Sequence, residues 1–208
     1  MEVTLFPWLD PLTAPLLFAL GMPLSAGDLF GFATGLLCVG LTVRASIWNF
    51  PVGIVNGVAL GLVFLQTRLF ADASLQVLFI LLSVHGWWLW ANGQGGKPDD
   101  PVGRTSPRHH AMLAVAVIAT VPVLWWGLTQ VKGASPWIDS AITAGSVAAQ
   151  VLLNQRKLET WAWWIAIDVV SIPLYWSRGL PLIAVLYIVF LLMCVQGWRS
   201  WRALPVAA

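Results

Sequence analysis

The apolar positions of the chain fall into seven long runs separated by short polar breaks, at approximately 29–44, 50–67, 73–91, 111–130, 137–154, 161–177 and 181–199. Each approaches the roughly 17–25 residues that a helix needs to cross a bilayer. The pattern predicts an all-α integral membrane protein with seven transmembrane helices. Ahead of the first run, residues 1–28 form an N-terminal segment. Its apolar stretch Leu12–Leu20 is broken by Pro15 and too short to span, so a short interfacial helix is expected there. That segment holds Glu2, Asp10 and Asp28 but no Lys or Arg, so the basic region of a cleaved signal peptide is missing. The stretch NGQGGKPDDPVGRTSPRHH, residues 92–110, is rich in Gly, Pro and charge and reads as a solvated loop.

The runs repeat. With a shift of 112, Asn49, Val52, Asn56 and Val63 fall on Trp161, Trp164, Asp168 and Tyr175. With a shift of 111, Gln76, Ser83, Trp87 and Trp90 fall on Tyr187, Cys194, Trp198 and Trp201. Residues 29–91 are therefore a first three-helix repeat and 137–199 a second. The run 111–130 has no counterpart and serves as a linker helix, giving a three-plus-one-plus-three layout. Internal duplication in an apolar chain points to a transporter with a central site between two halves.

Lys and Arg set the orientation. With the N-terminus outside, the inner segments hold Arg44, Lys97, Arg104, Arg108, Arg156, Lys157, Arg199 and Arg202, against Arg68, Lys132 and Arg178 outside. The positive-inside rule places the N-terminus out and the 200–208 tail in the cytoplasm. The halves then enter the membrane in the same sense, as parallel repeats of the kind seen in SWEET sugar transporters.

Composition narrows the function. Hydrophobic residues make up 59% of the chain and charged residues 10%. The net charge of +2 comes with no basic stripe, so a nucleic-acid partner is not expected. There is no phosphate loop, metal-ligand cluster or cofactor motif, and no enzyme is expected. Cys38 and Cys194 read as small buried apolar residues. The glycines at 31, 35, 53, 57 and 61 form GxxxG steps suited to close helix packing. Fourteen Trp exceed what interfacial belts need.

Candidate site residues are the polar and aromatic groups that share helix faces. Trp161, Trp164, Asp168 and Tyr175 lie on one face, with Asp168 the one acid deep in a span. Gln76, Ser83, Trp87 and Trp90 share a face of the third run. Asn49 and Asn56 come from the second run and Gln150 from a polar stripe, Asp139, Thr143, Ser146, Gln150 and Asn154, on the fifth. Tyr187 is chosen over Gln196 in the last run, because the two lie half a turn out of phase. His85 points away from Trp87 and suits packing, while His109 and His110 sit in the solvated loop. Together these faces describe a cavity for a flat heteroaromatic solute with polar substituents.

NFPVGIVNG at 49–57, LQVLF at 75–79 followed by GWWLW at 86–90, and WAWWIAIDVVSIPLY at 161–175 resemble the PnuC family of bacterial vitamin transporters. The resemblance spans roughly residues 27–202. It implies facilitated diffusion of a B-vitamin across the bacterial inner membrane, trapping by a cytosolic kinase, and a homo-oligomer, a trimer. It implies nicotinamide riboside as first substrate, with riboflavin (PnuX or RibM type) as the alternative and thiamine third. Ser83 and Asp168 stand where the nicotinamide riboside pattern has Asn, while Gln76 is kept. From another class, the parallel layout also suits a SWEET-like sugar facilitator.

Overall fold

The computed structural model describes residues 6–67, 69–93, 100–130 and 136–205. Arg68, Lys97 and Lys132, three of the residues that set the expected orientation, lie outside them. After a turn of 3₁₀ helix (Pro7–Leu9), the elements are α1 (Asp10–Thr13), β1 (Pro15–Ala19), β2 (Met22–Ser25), α2 (Ala26–Val43), α3 (Asn49–Gln66), α4 (Phe70–Ala91), α5 (Pro107–Gln130), α6 (Pro136–Asn154), α7 (Thr160–Ser177) and α8 (Pro181–Arg202). α2 to α8 fall on the seven apolar runs. By length and composition α2, α3, α4, α5 and α8 are apolar enough to cross a membrane. α6 and α7 carry the polar stripe, Asp168 and several Trp, which lower their hydropathy.

The N-terminal segment corrects one expectation. In place of an interfacial helix over Leu12–Leu20, β1 and β2 pair antiparallel. Leu20 and Gly21 both take positive φ, 52° and 77°, which makes the tight turn that a two-residue hairpin needs. Pro15 ends the helical turn and starts the strand. The segment is pinned to the end of α3, where the Gln66 amide donates to Asp10 Oδ1 at 2.6 Å and Gln66 Oε1 accepts from the Phe6 N–H at 3.1 Å.

Six helices close a ring through the contacts α2–α3, α3–α4, α4–α6, α6–α7, α7–α8 and α8–α2, and α5 packs outside it on α6. The Trp125 and Trp137 rings stack at 4.8 Å across that outer contact. The ring has the pattern of a two-fold duplication, since α2–α8 and α6–α4 are equivalent junctions. Small residues bring helices together: a methyl group at Gly31 would meet Leu60 at 2.6 Å, and one at Gly57 would meet Ile80 at 2.9 Å.

The repeat register is 111 over the second and third helices of each half. α3 and α7 differ by 111 at both ends (49 to 160, 66 to 177), and so do α4 and α8 (70 to 181, 91 to 202). The connecting turns repeat too: Ala45 and Arg156 both have positive φ, 50° and 52°. The shift of 112 is therefore one residue out. Asn49 pairs with Thr160 and Asn56 with Ile167, while Trp161, Trp164, Asp168 and Tyr175 pair with Phe50, Gly53, Gly57 and Phe64.

A second correction concerns residues 92–110, which are not wholly a solvated loop. α5 begins at Pro107, so His109 and His110 belong to a helix. Val102, 4% exposed, is buried in the core. Its N–H donates to Pro205 O at 2.8 Å, and the Thr105 N–H and hydroxyl both donate to Glu159 Oε2 at 2.9 Å. Residues 102–105 are a strap across the ends of α7 and α8.

Candidate functional site

Beneath that strap the ring is sealed by aromatic residues. Phe50 lies edge-on to Trp90 (5.1 Å, 87°), and Trp161 lies edge-on to Trp201 (5.4 Å, 88°). At a shift of 111 these are the same pair twice. The equivalent indoles Trp90 and Trp201 are each tied to the end of a helix from the opposite half: Trp90 donates to Asn154 O at 3.1 Å and Trp201 to Thr42 O at 3.0 Å. Gly86 and Gly197, also 111 apart, leave room for the Phe50 and Trp161 rings. The Arg156 guanidinium sits over both Trp90 and Trp201, at 4.9 and 5.8 Å from the ring centroids. Val43, Leu153 and Leu158 complete this plug, with Trp164 packed against it. Because α2, α4, α6 and α8 all end here and α3 and α7 both begin here, the halves run in the same sense.

α7 leads away from the plug. Trp161, Asp168 and Tyr175 follow at seven-residue intervals on one face, so each step covers about 10.5 Å. α8 presents Tyr187, Cys194 and Trp201 at the same spacing. The Tyr175 and Tyr187 rings stack at 5.1 Å, with Phe190 edge-on to Tyr187 at 6.0 Å. Arg178 lies 5.9 Å from the Tyr175 ring and is held at 2.9 and 3.0 Å by the Asp139 carboxylate. The α7 face is thus closed at one end by the plug and at the other by the tyrosines and this ion pair.

Asp168 lies between the two closures. It is 3% exposed and Ser171, one turn further on, is 0% exposed. The Cys194 thiol is within hydrogen-bonding reach of the Asp168 carboxylate, yet Asp168 Oδ2 has no partner. Ser171 Oγ lies beside the Tyr187 hydroxyl without a bond of proper geometry, and the Trp161 Nε1–H is also unpaired. A buried polar group without a partner costs about 1–3 kcal/mol. Three on one face of one helix form a set of donors and acceptors that a solute can complete.

The other expected site residues divide. Gln76 and Ser83 are the repeat counterparts of Tyr187 and Cys194; Gln76 lines a groove of about 330 Å³ between α3 and α4 with Gly57 and Ile80. The remaining amides are occupied within the protein. Asn49 donates to Ser46 O at 2.7 Å, and Asn56 to Gly31 O at 2.8 Å and Thr34 Oγ1 at 2.7 Å on α2. Gln150 donates to Asn154 Oδ1 at 3.1 Å, and Asn154 reaches Leu82 O on α4 at 2.8 Å, a junction between the halves. Trp87, 42% exposed, is not gathered with the α7 face. Trp161 itself belongs to the plug. Sequence reasoning missed Ser171 and the role of Cys194, whose signal is their spacing from Asp168 and Tyr187. Cys38 and Cys194 are both free thiols, and Gln196 is exposed.

The model of the nicotinamide mononucleotide transporter family matches residues 25–203. The chain belongs to that family. It is accordingly a multi-pass membrane transporter and not an enzyme. The nicotinamide riboside transporter PnuC of Escherichia coli K12 is 28% identical over 208 residues, with 87% of each chain covered. The riboflavin/roseoflavin transporter RibM of Streptomyces davaonensis is also 28% identical, over 178 residues, covering 84% of this chain and 83% of its own. A crystal structure of the vitamin B3 transporter PnuC superimposes with a TM-score of 0.67 at 24% identity, over 83% of this chain and 79% of that one. The ring of helices is thus an arrangement this family adopts.

Proposed function

We propose that the protein is a facilitator for uptake of a B-vitamin, with nicotinamide riboside as its first substrate. The observation that carries this reading is the unpaired polar atoms of Asp168 and Ser171 between two aromatic closures, with the unpaired Trp161 Nε1–H on the plug that forms one of them. The ring of a vitamin stacks between aromatic side chains there, with Trp164 and the tyrosines as walls. Asp168 offsets the positive charge of a pyridinium, whose attraction to a carboxylate is far stronger in a poorly hydrated chamber than in water. Ser171 and the carboxylate take the sugar hydroxyls. Gln76 and Ser83 extend the site from the first half, while Asn56 ties α3 to α2, Asn49 caps its own turn and Gln150 supports Asn154.

Seven membrane spans in a three-plus-one-plus-three layout follow, with the N-terminus outside and the plug at the cytoplasmic face of the inner membrane. The structure then has both ends closed. Opening inward separates the Phe50–Trp90 and Trp161–Trp201 pairs; opening outward parts the tyrosines and the Arg178–Asp139 bridge. Nothing in this cycle requires an ion or a nucleotide, so the solute runs down its gradient and a cytosolic kinase retains it by phosphorylation. α5, exposed along its length, suits assembly into a homo-oligomer, a trimer.

Riboflavin is the second reading. The RibM relative matches as well as PnuC does, and the same aromatic walls suit a wide neutral ring. The test is uptake of labelled nicotinamide riboside, riboflavin and thiamine by cells that lack their own transporters. Selective uptake of nicotinamide riboside supports the first reading, riboflavin the second, and uptake of a sugar alone refutes both.

A further inference from the structure

The family match begins at residue 25, so α1 and most of the hairpin precede it. The hairpin is apolar on both faces. Past a register irregularity between Pro15 and Leu17, Leu17 (43% exposed) and Phe18 (74%) point to opposite faces of β1, with Leu16 at the irregularity 63% exposed and Leu20 at the turn 61% exposed. Residues 11–27 contain no charged side chain. Among the described residues before α2, Leu9 and Leu24 are the buried large apolar side chains, and they anchor the segment to the ring.

A strand docked on a protein partner hides one face and leaves the other wet. Here both faces carry large apolar groups, and water on either one is unfavourable in proportion to the apolar area it wets. A bilayer covers both faces at once. The first exposed apolar residues of α2, Leu29 and Phe30, continue directly from the hairpin, so it adjoins the lipid-facing surface of the ring. Depth is bounded by the backbone. The outer edges of a two-stranded sheet have unpaired N–H and C=O groups, which are too costly in the hydrocarbon centre but are satisfied at the headgroup boundary. Trp8, 68% exposed beside the hairpin, suits that level.

We infer that the β1–β2 hairpin is a membrane wedge, inserted into the headgroup–acyl boundary of the leaflet at the N-terminal end of α2. Its occupant is lipid, not protein. Through Gln66, which holds Asp10 and Phe6, it ties the end of α3 to the bilayer. The inference needs only that the chain spans a membrane, so it stands or falls apart from the identity of the solute.

The test places a nitroxide label in turn at Leu16→Cys, Leu17→Cys and Phe18→Cys in the full-length protein in liposomes, with identically treated wild type subtracted for Cys38 and Cys194. All three labels should collide more often with dissolved oxygen, which partitions into lipid, than with a water-soluble nickel complex. Nickel access at Leu17 but not Phe18, or at Phe18 but not Leu17, would mean one-sided docking and overturn the wedge. Protection of all three from both reagents would mean burial against protein, over the mouth or in a second copy, and also overturn it.

Discussion

Phe50 and Trp161 are one residue of an ancestral half, kept twice. Each stands edge-on to a Trp forty positions further along its own half, Trp90 and Trp201, and each is seated on a glycine, Gly86 and Gly197. The two copies differ further along the helix. Seven residues onward, about two turns, the first half has Gly57 where the second has Asp168. The duplication built the closure symmetrically and the proposed binding face asymmetrically.

The seats should be intolerant of a methyl group. Gly197→Ala drives a Cβ into the Trp161 indole, and overpacking a filled core costs typically about 1–3 kcal/mol. Thermal unfolding of the purified protein should fall for Gly197→Ala and for Gly86→Ala. The double variant Gly197→Ala with Trp161→Leu should recover part of the loss. No recovery would mean that Trp161 does not set the limit.

Asn154 joins the halves. Its amide reaches Leu82 O while its own side-chain oxygen takes the Gln150 amide. Asn154→Ala removes the bond to a helical carbonyl of the other half and leaves the Gln150 amide without its partner, a loss of about 1–3 kcal/mol. The expected result is a lower melting temperature, with Asn154→Asp less harmful than Ala where the Gln150 bond survives. A melting temperature unchanged by Ala would show that the junction contributes nothing.

The helices were nearly all evident from apolar run length alone, because seven runs near bilayer length leave few alternatives. The register was not. Aligning Asn49 with Trp161 by polarity gave 112, whereas the turns around Ala45 and Arg156, which share a left-handed backbone, give 111. The hairpin escaped because an apolar stretch of that length suits helix or strand, and only the turn at Leu20–Gly21 decides. Asp168 stood out because a lone carboxylate in an apolar run is costly. Ser171 and Cys194 did not, since small hydroxyls and thiols in such helices usually serve packing. The amides of Asn56 and Gln150 look identical in sequence whether they face a solute or other protein groups; in the structure Asn56 donates to Gly31 O on α2 and Gln150 to Asn154 Oδ1 on its own helix.

Transport should be uncoupled. Protein in liposomes without a trapping kinase is expected to bring the solute to equal concentrations on both sides and then stop. Accumulation beyond that point, abolished by an ionophore, would refute facilitated diffusion.

The most direct measurement is calorimetric affinity of wild type and Asp168→Asn for nicotinamide riboside, thiamine and riboflavin, with Ser171→Ala alongside. If Asp168 faces the solute, the Asn variant binds the two cations at least about tenfold more weakly, a loss of 1.4 kcal/mol or more, and leaves riboflavin unchanged or improved. Ser171→Ala weakens ligands that carry a sugar or ribityl chain more than it weakens thiamine. Equal losses for charged and neutral vitamins, or no loss for any, would contradict a binding role for Asp168 and move the site elsewhere in the ring.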